Sequence, residues 1–445
     1  MSGLADPQRG VGGTDSPERL SLLCVSQVPP SPPRFGAQAR IHGLMTQIAR
    51  RHELSALCLV DEGTDLEDCR RAMQSYCRDV ILIRNPKGSQ GLAKRSLQLR
   101  SLASLHSFER HLYSVAGVQE EVTRLLRQRR FDVVNLEFPY LGHLRLRQSP
   151  KGVRPPLLVI DAHEIAHDMV RQFARSGGVS RRLYAGLNWR KLRREELSIF
   201  READGIFACS VQDQQRILSE VPSARTAVVP NAADVEFYRP HPSDPSADGR
   251  TVVFFGLLST YPNIDGSLWF LREIWPRIAA ARPEARCRII GKGAPRALLE
   301  LAGPRVEIVG LVADLRPQLS SAAALVVPLR IGGGTRLKIV EGMAMAKAIV
   351  STTLGAEGIS AVPERDILIA DDPESFAASV MRLLDDSALA SRLGASARRL
   401  AVERYSWSTA GARLEHFYRE LLAERQANAL PSPGVREDRA RTGTG

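Results

Sequence analysis

The chain has 445 residues, 44% hydrophobic and 25% charged, with a formal net charge of +12. That length exceeds one ordinary core and predicts two domains of about 200 residues each, while the composition excludes wholesale disorder and a membrane-embedded bundle. The charge calls for a polyanionic neighbour: nucleic acid, an anionic membrane leaflet or a phosphorylated substrate.

Residues 1–18 are rich in Gly, Ser and Asp and lack the apolar core of a signal peptide, so a disordered leader is expected there. A buried strand is predicted over 20–25. The proline-rich turn Pro29 to Gly36 follows, then a helix to about Arg50 with Ile41, Leu44, Met45 and Ile48 on one face. Further strands are predicted at 54–60, 80–83, 132–138, 157–160 and 226–229, with one more after Ala203-Asp204. Between 87 and 130 the pattern is helical and basic, with Leu92, Leu97, Leu99, Leu102, Leu105 and Phe108 among Lys94, Arg95, Arg100, Arg110 and His111. Such a pattern is more often an ordinary helix with a solvated face, and an amphipathic stretch on an anionic membrane surface is the alternative. The strand at 157–160 opens into Asp161-Ala162-His163-Glu164, a polar cluster at the end of a parallel strand, where open α/β sheets bind ligands. His163 is the candidate there, unless the cluster only caps the next segment. A charged helix is predicted over 181–201. Glu236 to Arg250, rich in Pro, Asp and Ser, is the best interdomain linker.

A second series begins with a strand at 251–255, then Gly256 and a helix from Asp265 presenting Leu268, Leu271, Trp275 and Ile278. A strand at 287–290 runs into Gly291-Lys292-Gly293, a close backbone approach with one cation. Strands at 306–309, 325–327, 348–351 and 367–369 complete the alternation of a doubly wound parallel sheet. The six cysteines form no C-x-x-C pair and read as reduced core residues of a cytoplasmic protein. The richest stretch follows the strand ending at Val327: Gly332-Gly333-Gly334-Thr335-Arg336-Leu337-Lys338, then Ile339, Val340, Met343 and Ala344 facing inward. A glycine turn between strand and helix lets backbone approach an anion, and the helix start supplies free N–H groups. Thr335 is the expected N-cap. Arg336 and Lys338 then fall in the first turn, where the macrodipole disfavours a cation by about 0.3–1 kcal/mol. A phosphate between them would explain both, and a tight turn with two solvated side chains is the alternative.

The run P-L-x-x-G-G-G-T-R-x-K-x-x-E-x-M-A resembles the donor-site motif of the family 4, or group 1, retaining glycosyltransferases. Ala203 to Ser210 and Pro230-Asn231-Ala232-Ala233-Asp234 are similar to the family's A-D-x-x-x-x-x-S and P-N-G-V-D steps, with Ala232 in place of the glycine. The resemblance spans about 20–424 and implies the α/β GT-B fold, two Rossmann-like doubly wound parallel-sheet domains facing across a cleft. Residues 19–234 would be the acceptor domain, 235–250 the linker and 251–404 the nucleotide-sugar donor domain. Residues 405–425 would be a helix crossing back, and 426–445 a disordered tail. Sugar would pass from a nucleotide diphosphate to a glycan or lipid-linked acceptor with retained anomeric configuration, in cell-surface polysaccharide biosynthesis. Arg336 and Lys338 would stabilise the departing diphosphate over Gly332, Gly333, Gly334 and Thr335, Glu341 would hold the ribose, and His163 would stand on the sugar side. Gly256, Asn263, Gly291 and Lys292 would complete the donor site, with Arg34, Gly36, Arg40 and Asn231 on the acceptor side or cleft. The family's two motif glutamates stand eight positions apart, and the first falls on Gly333, so the carboxylate for the donor sugar is missing. Its diphosphate-binding arginine and lysine fall on Leu257 and Asn263, leaving the phosphate to Arg336 and Lys338.

Expected partners are a nucleotide-sugar donor, a glycan or lipid-linked acceptor and an anionic membrane surface, without nucleic acid. The expected location is the cytoplasm, with peripheral attachment at the inner face of the cell membrane left open. No cofactor or metal is expected, since no two aspartates are spaced D-x-D. A sugar-nucleotide epimerase of the same fold, and a non-catalytic nucleotide- or polyanion-binding protein, remain as alternatives. A dinucleotide oxidoreductase needs G-x-G-x-x-G after a strand, which neither first loop supplies. A nucleic-acid binder should show zinc spacing or an RNP-like motif, and neither is present.

Overall fold

A computed structural model describes residues 19–87, 91–175, 179–240 and 248–428. The expected leader, part of the expected linker and all but the first residues of the expected tail lie outside these. Seven strands form the first sheet: β1 (Ser21–Ser26), β2 (Glu53–Asp61), β3 (Asp79–Asn85), β4 (Val133–Glu137), β5 (Leu157–Ala162), β6 (Gly205–Ala208) and β7 (Thr226–Val228). Their spatial order is β3-β2-β1-β4-β5-β6-β7. Six form the second: β8 (Thr251–Phe255), β9 (Arg286–Ile290), β10 (Val306–Val309), β11 (Ala324–Val327), β12 (Ala348–Ser351) and β13 (Leu368–Ile369), ordered β10-β9-β8-β11-β12-β13. The named strands pair in parallel throughout. Strand order reverses between β1 and β4 and again between β8 and β11. The carboxyl ends at such switch points are where open α/β sheets place ligands.

Parallel strands covered by helices on both faces must be apolar on both faces. Thus Leu23, Val25, Val134 and Leu136 pack toward the helices Val118–Gln128 and Val179–Glu202, and Leu22, Cys24, Val133 and Val159 toward Gly36–Ala49. The last helix, Trp407–Ala427, also covers this second face although it follows the other domain. Gly43 is the seat of its first residue, since a Cβ there would stand 2.2 Å from the Trp407 indole. The Tyr418 hydroxyl donates to Asn135 Oδ1 at 2.8 Å. The two crossings between domains are bonded to each other: Ala233 N–H donates to the Tyr405 carbonyl at 2.8 Å, and Trp407 N–H to the Ala233 carbonyl at 3.3 Å.

Two local expectations change and a third holds. The basic stretch between 87 and 130 is three helices, Gly91–Leu102, Phe108–Tyr113 and Val118–Gln128, broken at the N-caps Ser107 and Gly117. The helix predicted from Asp265 starts at Tyr261 with Pro262 in its first turn, and widens to a π-turn over Phe270–Ile274. All six cysteines are buried free thiols, as expected.

Candidate active site

The glycine loop after β11 leads into the helix Leu337–Ala344, whose Ile339, Val340, Met343 and Ala344 are buried as the pattern requires. Thr335 is not the N-cap. Arg336 stands there with φ −90° and ψ 103°, and no side chain caps the helix. The Thr335 carbonyl instead accepts from Asn231 Nδ2 of the other domain at 2.8 Å, and its hydroxyl is buried without a partner. Two glycines are compulsory. Gly332 has φ 137° and a Cβ there would stand 2.7 Å from Arg336 Nη2, while Gly334 has φ 67° and a Cβ 2.6 Å from the His163 carbonyl oxygen.

Arg336 donates through Nη1 to the Gly333 carbonyl, but its Nε and Nη2 are enclosed and unpartnered among the described residues. Burial pulls its pKa down, against the attraction of Glu164, Glu357 and Asp213. Lys338 donates Nζ to Asn263 Oδ1 at 2.7 Å and stands 4.2 Å from the Phe254 ring centroid. A Cβ on Gly256 would come within 2.9 Å of that Nζ, so the end of β8 is bare to admit it. Burial and then Arg336 pull Lys338 down to about 7, with Glu341 opposing. Burial pushes the Glu341 carboxyl up to about 7, while the Tyr238 hydroxyl and Lys338 favour its charged form. A buried donor left unmet costs about 1–3 kcal/mol, more on a charged group. Two such donors on one guanidinium, at a helix start, call for an anion.

The facing wall belongs to the first domain. Arg40 is buried, its Nε 2.8 Å and Nη2 2.9 Å from Asp161 oxygens and its Nη1 3.0 Å from Asn231 Oδ1. Asp161, Arg40, Asn231 and the Thr335 carbonyl therefore form one hydrogen-bonded line from the first sheet to the glycine loop. His163 Nε2 lies 2.9 Å from Glu137 and 3.3 Å from Asp161, under the stacked Phe138 ring at 3.8 Å. Burial, then Asp161, raises the Glu137 pKa, and His163 and Arg40 oppose. Glu137, Asp161 and His163 bring ligand atoms within 4.8 Å of one another. A cation there would have to displace Arg40 or break the Glu137–His163 bond. Gly36 opens the first domain's helix with its Cβ position 3.3 Å from Leu337 Cδ1, so two helix starts face across the cleft. Arg34 is exposed, 3.5 Å from Asp68 on the surface. Gly291 supplies a close approach, since a Cβ there would fall 1.8 Å from the Gly256 oxygen. Lys292 is exposed and contributes its carbonyl to Leu258 N–H at 2.9 Å.

Sequence reasoning did not single out Glu164, Tyr238, Asp213, Arg216 or Glu357. Arg216 crosses the cleft, 3.0 Å from Asp213 and 2.7 Å from Glu357. Glu164 had a signal in its place just beyond a strand end, whereas Arg216 and Glu357, 141 residues apart, had none.

Residues 36–237 match the family described as Glycosyltransferase Family 4, and residues 249–386 the one described as Glycosyl transferases group 1. The chain belongs to the group 1 glycosyltransferases. The fold of this glycosyltransferase is GT-B: sucrose-phosphate synthase of Thermosynechococcus elongatus superposes with a TM-score of 0.66 at 16% identity, over 91% of this chain and 100% of that one. HepE of Anabaena, solved in complex with UDP and glucose, gives 0.58 at 14% identity, over 93% and 100%. D-inositol 3-phosphate glycosyltransferase of Thermobispora bispora is 27% identical over 260 residues, 52% of this glycosyltransferase and 58% of that protein. The match thus spans little more than half the length of that curated relative.

Proposed function

We propose that this protein transfers a sugar from a nucleoside diphosphate to a hydroxyl of a glycan or lipid-linked acceptor, with retained anomeric configuration and no covalent enzyme intermediate, in cell-surface polysaccharide synthesis. One observation supports it most: the unmet Nε–H and Nη2–H of Arg336, enclosed beside a glycine loop and a helix start. Breaking the anomeric C–O bond leaves charge on the diphosphate, and cations aimed there beforehand stabilise it as it develops. Lys338 joins Arg336 in this role, taking a full proton as the phosphate arrives. Glu341, against Tyr238, holds the ribose, and His163, set by Glu137 and Asp161, stands on the sugar side. These groups handle the charge without a divalent ion. The UDP and glucose held by HepE, and the name of the inositol phosphate relative, support donor class and reaction. The test is incubation with UDP-, GDP- and ADP-sugars, reading released nucleotide with and without acceptor. Wild type should release nucleotide and Glu341→Ala should not. Equal release by both defeats the donor-site assignment, and sugar interconversion without acceptor makes the protein an epimerase.

We further propose that the acceptor side docks on an anionic membrane. Leu92 (81% exposed), Leu99 and Leu102 on one helix, Leu105 (75%) in the bend after it, and Leu183 and Leu187 on a neighbouring helix stand out from the surface. Ser101 Oγ and the Tyr184 hydroxyl join these segments at 3.1 Å. Exposed Lys94, Arg95, Arg100 and Arg190 lie among the leucines. A basic, leucine-bearing face suits insertion at a charged lipid surface. No helix among the described residues is long and apolar enough to cross a membrane.

A further inference from the structure

We infer that Glu164 binds the hydroxyls of the donor sugar, supplied from the facing domain in place of the glutamate missing at Gly333. This rests on the donor-site reading above. Gly333, unlike Gly332 and Gly334, has no left-handed φ, so its backbone does not demand glycine. Its Cβ position instead faces the other domain: a Cβ there would stand 3.3 Å from Met169 Sδ, at the flexible end of that side chain, and in ordinary contact with Glu164 Cβ at 3.7 Å. A side chain on Gly333 would thus project toward a segment of the first domain, and that segment brings a carboxylate.

Glu164 accepts no hydrogen bond and forms no ion pair among the described residues. Burial raises its pKa, while His163 and then Arg336 favour the charged form. Close by are the unmet Nε–H and Nη2–H of Arg336. An acceptor without donors and donors without an acceptor line one cleft but do not pair with each other. A ligand satisfying both needs an anionic group for the guanidinium and hydroxyl donors for the carboxylate, joined by a short bridge. A sugar linked to a diphosphate has that chemistry. Polar groups without a protein partner in the free protein, the half-buried Glu164 carboxylate and the enclosed Arg336 N–H groups, are also what gives a hydroxyl-binding site its discrimination, because an analogue lacking the hydroxyls leaves them unmatched.

The test is titration calorimetry of wild type, Glu164→Ala and Glu164→Gln. The probes are the tightest-bound of UDP-glucose, GDP-mannose and ADP-glucose, and its own nucleoside diphosphate. Glu164→Ala should weaken the sugar nucleotide by about 10- to 150-fold, the loss of one hydrogen bond to a charged group. The nucleoside diphosphate should bind as before or tighter, an acid having left the phosphate's vicinity. Glu164→Gln, keeping one acceptor oxygen, should fall between. The paired substitution Glu164→Gly with Gly333→Glu returns the carboxylate from the glycine loop and should restore sugar-nucleotide affinity. Equal losses for both ligands, or an unchanged sugar nucleotide, overturn the assignment of Glu164 alone. Wild type binding no nucleoside diphosphate overturns the donor-site reading and this inference together.

Discussion

Replacing Arg336 with methionine should make the free protein more stable while removing its affinity for nucleoside diphosphates. Two of its N–H groups are enclosed without partners, each costing about 1–3 kcal/mol; the bond from Nη1 to the Gly333 carbonyl offsets them by about 1.5–3 kcal/mol, and the attraction of Glu164, Glu357 and Asp213 offsets a further part. Its place at the N-cap of Leu337–Ala344 adds a cation at the wrong end of a helix dipole, about 0.3–1 kcal/mol more. The net gain from methionine, which also fills the space, is roughly 1–2 kcal/mol. For a domain of this size that raises the melting temperature by roughly 2–8 °C. Ligand should reverse the ranking. At a hundred times the wild-type Kd, binding adds about 2.7 kcal/mol to wild type. A variant weakened about 100-fold gains only about 0.4 kcal/mol at the same concentration. Scanning calorimetry of both proteins with and without UDP or GDP reads both effects. A variant less stable than wild type without ligand, or one with the same ligand-induced rise, refutes the assignment of Arg336 to the phosphate.

Lys338 predicts a pH dependence. Its pKa in the folded protein is about 7 against an ordinary 10.5, so between those values the unfolded chain binds more protons and this group's contribution to stability rises with pH. A diphosphate restores the proton, so its affinity should fall as pH rises above about 7, by up to about tenfold per unit, while bare nucleoside binding stays level. Calorimetry from pH 6.5 to 8.5 checks this, and a level diphosphate profile removes Lys338 from the phosphate. Arg40→Leu should cost about 3–5 kcal/mol in urea unfolding, because it leaves Asp161 charged and buried without its partner; a loss below 1 kcal/mol contradicts that. Leu92→Ser, Leu99→Ser and Leu183→Ser together should reduce co-sedimentation with phosphatidylglycerol vesicles, and wild-type binding should weaken with salt. Equal binding to neutral vesicles rejects the electrostatic part.

The elements that local pattern defines were legible in the sequence, and the departures have long-range causes. Ile339, Val340, Met343 and Ala344 placed the helix after the glycine loop. Its start moved past Thr335 because Asn231, 104 residues away, takes the Thr335 carbonyl. The basic stretch looked continuous because Ser107 is unremarkable in sequence. It becomes a cap and a break where its hydroxyl donates to Glu195 at 2.6 Å, 88 residues on. Arg40 read as a cleft residue from its motif. Its burial depends on Asp161, 121 positions later, which no local spacing reveals. The loss of a motif glutamate at Gly333 was plain, but only the packed domains show which side chain faces that gap.

The two bonded crossings bear on how the cleft can move. Joined at Ala233 with Tyr405 and Trp407, they define a single line about which the second domain can turn, as a door does on two leaves of one hinge. A swing about that line would part Arg216 from Glu357 while leaving the last helix seated on the first sheet. A protease cutting the chain between 241 and 247 would sever one leaf only. The fragments would stay associated through the helix Trp407–Ala427, held by Tyr418 on Asn135 and by Trp407 over Gly43.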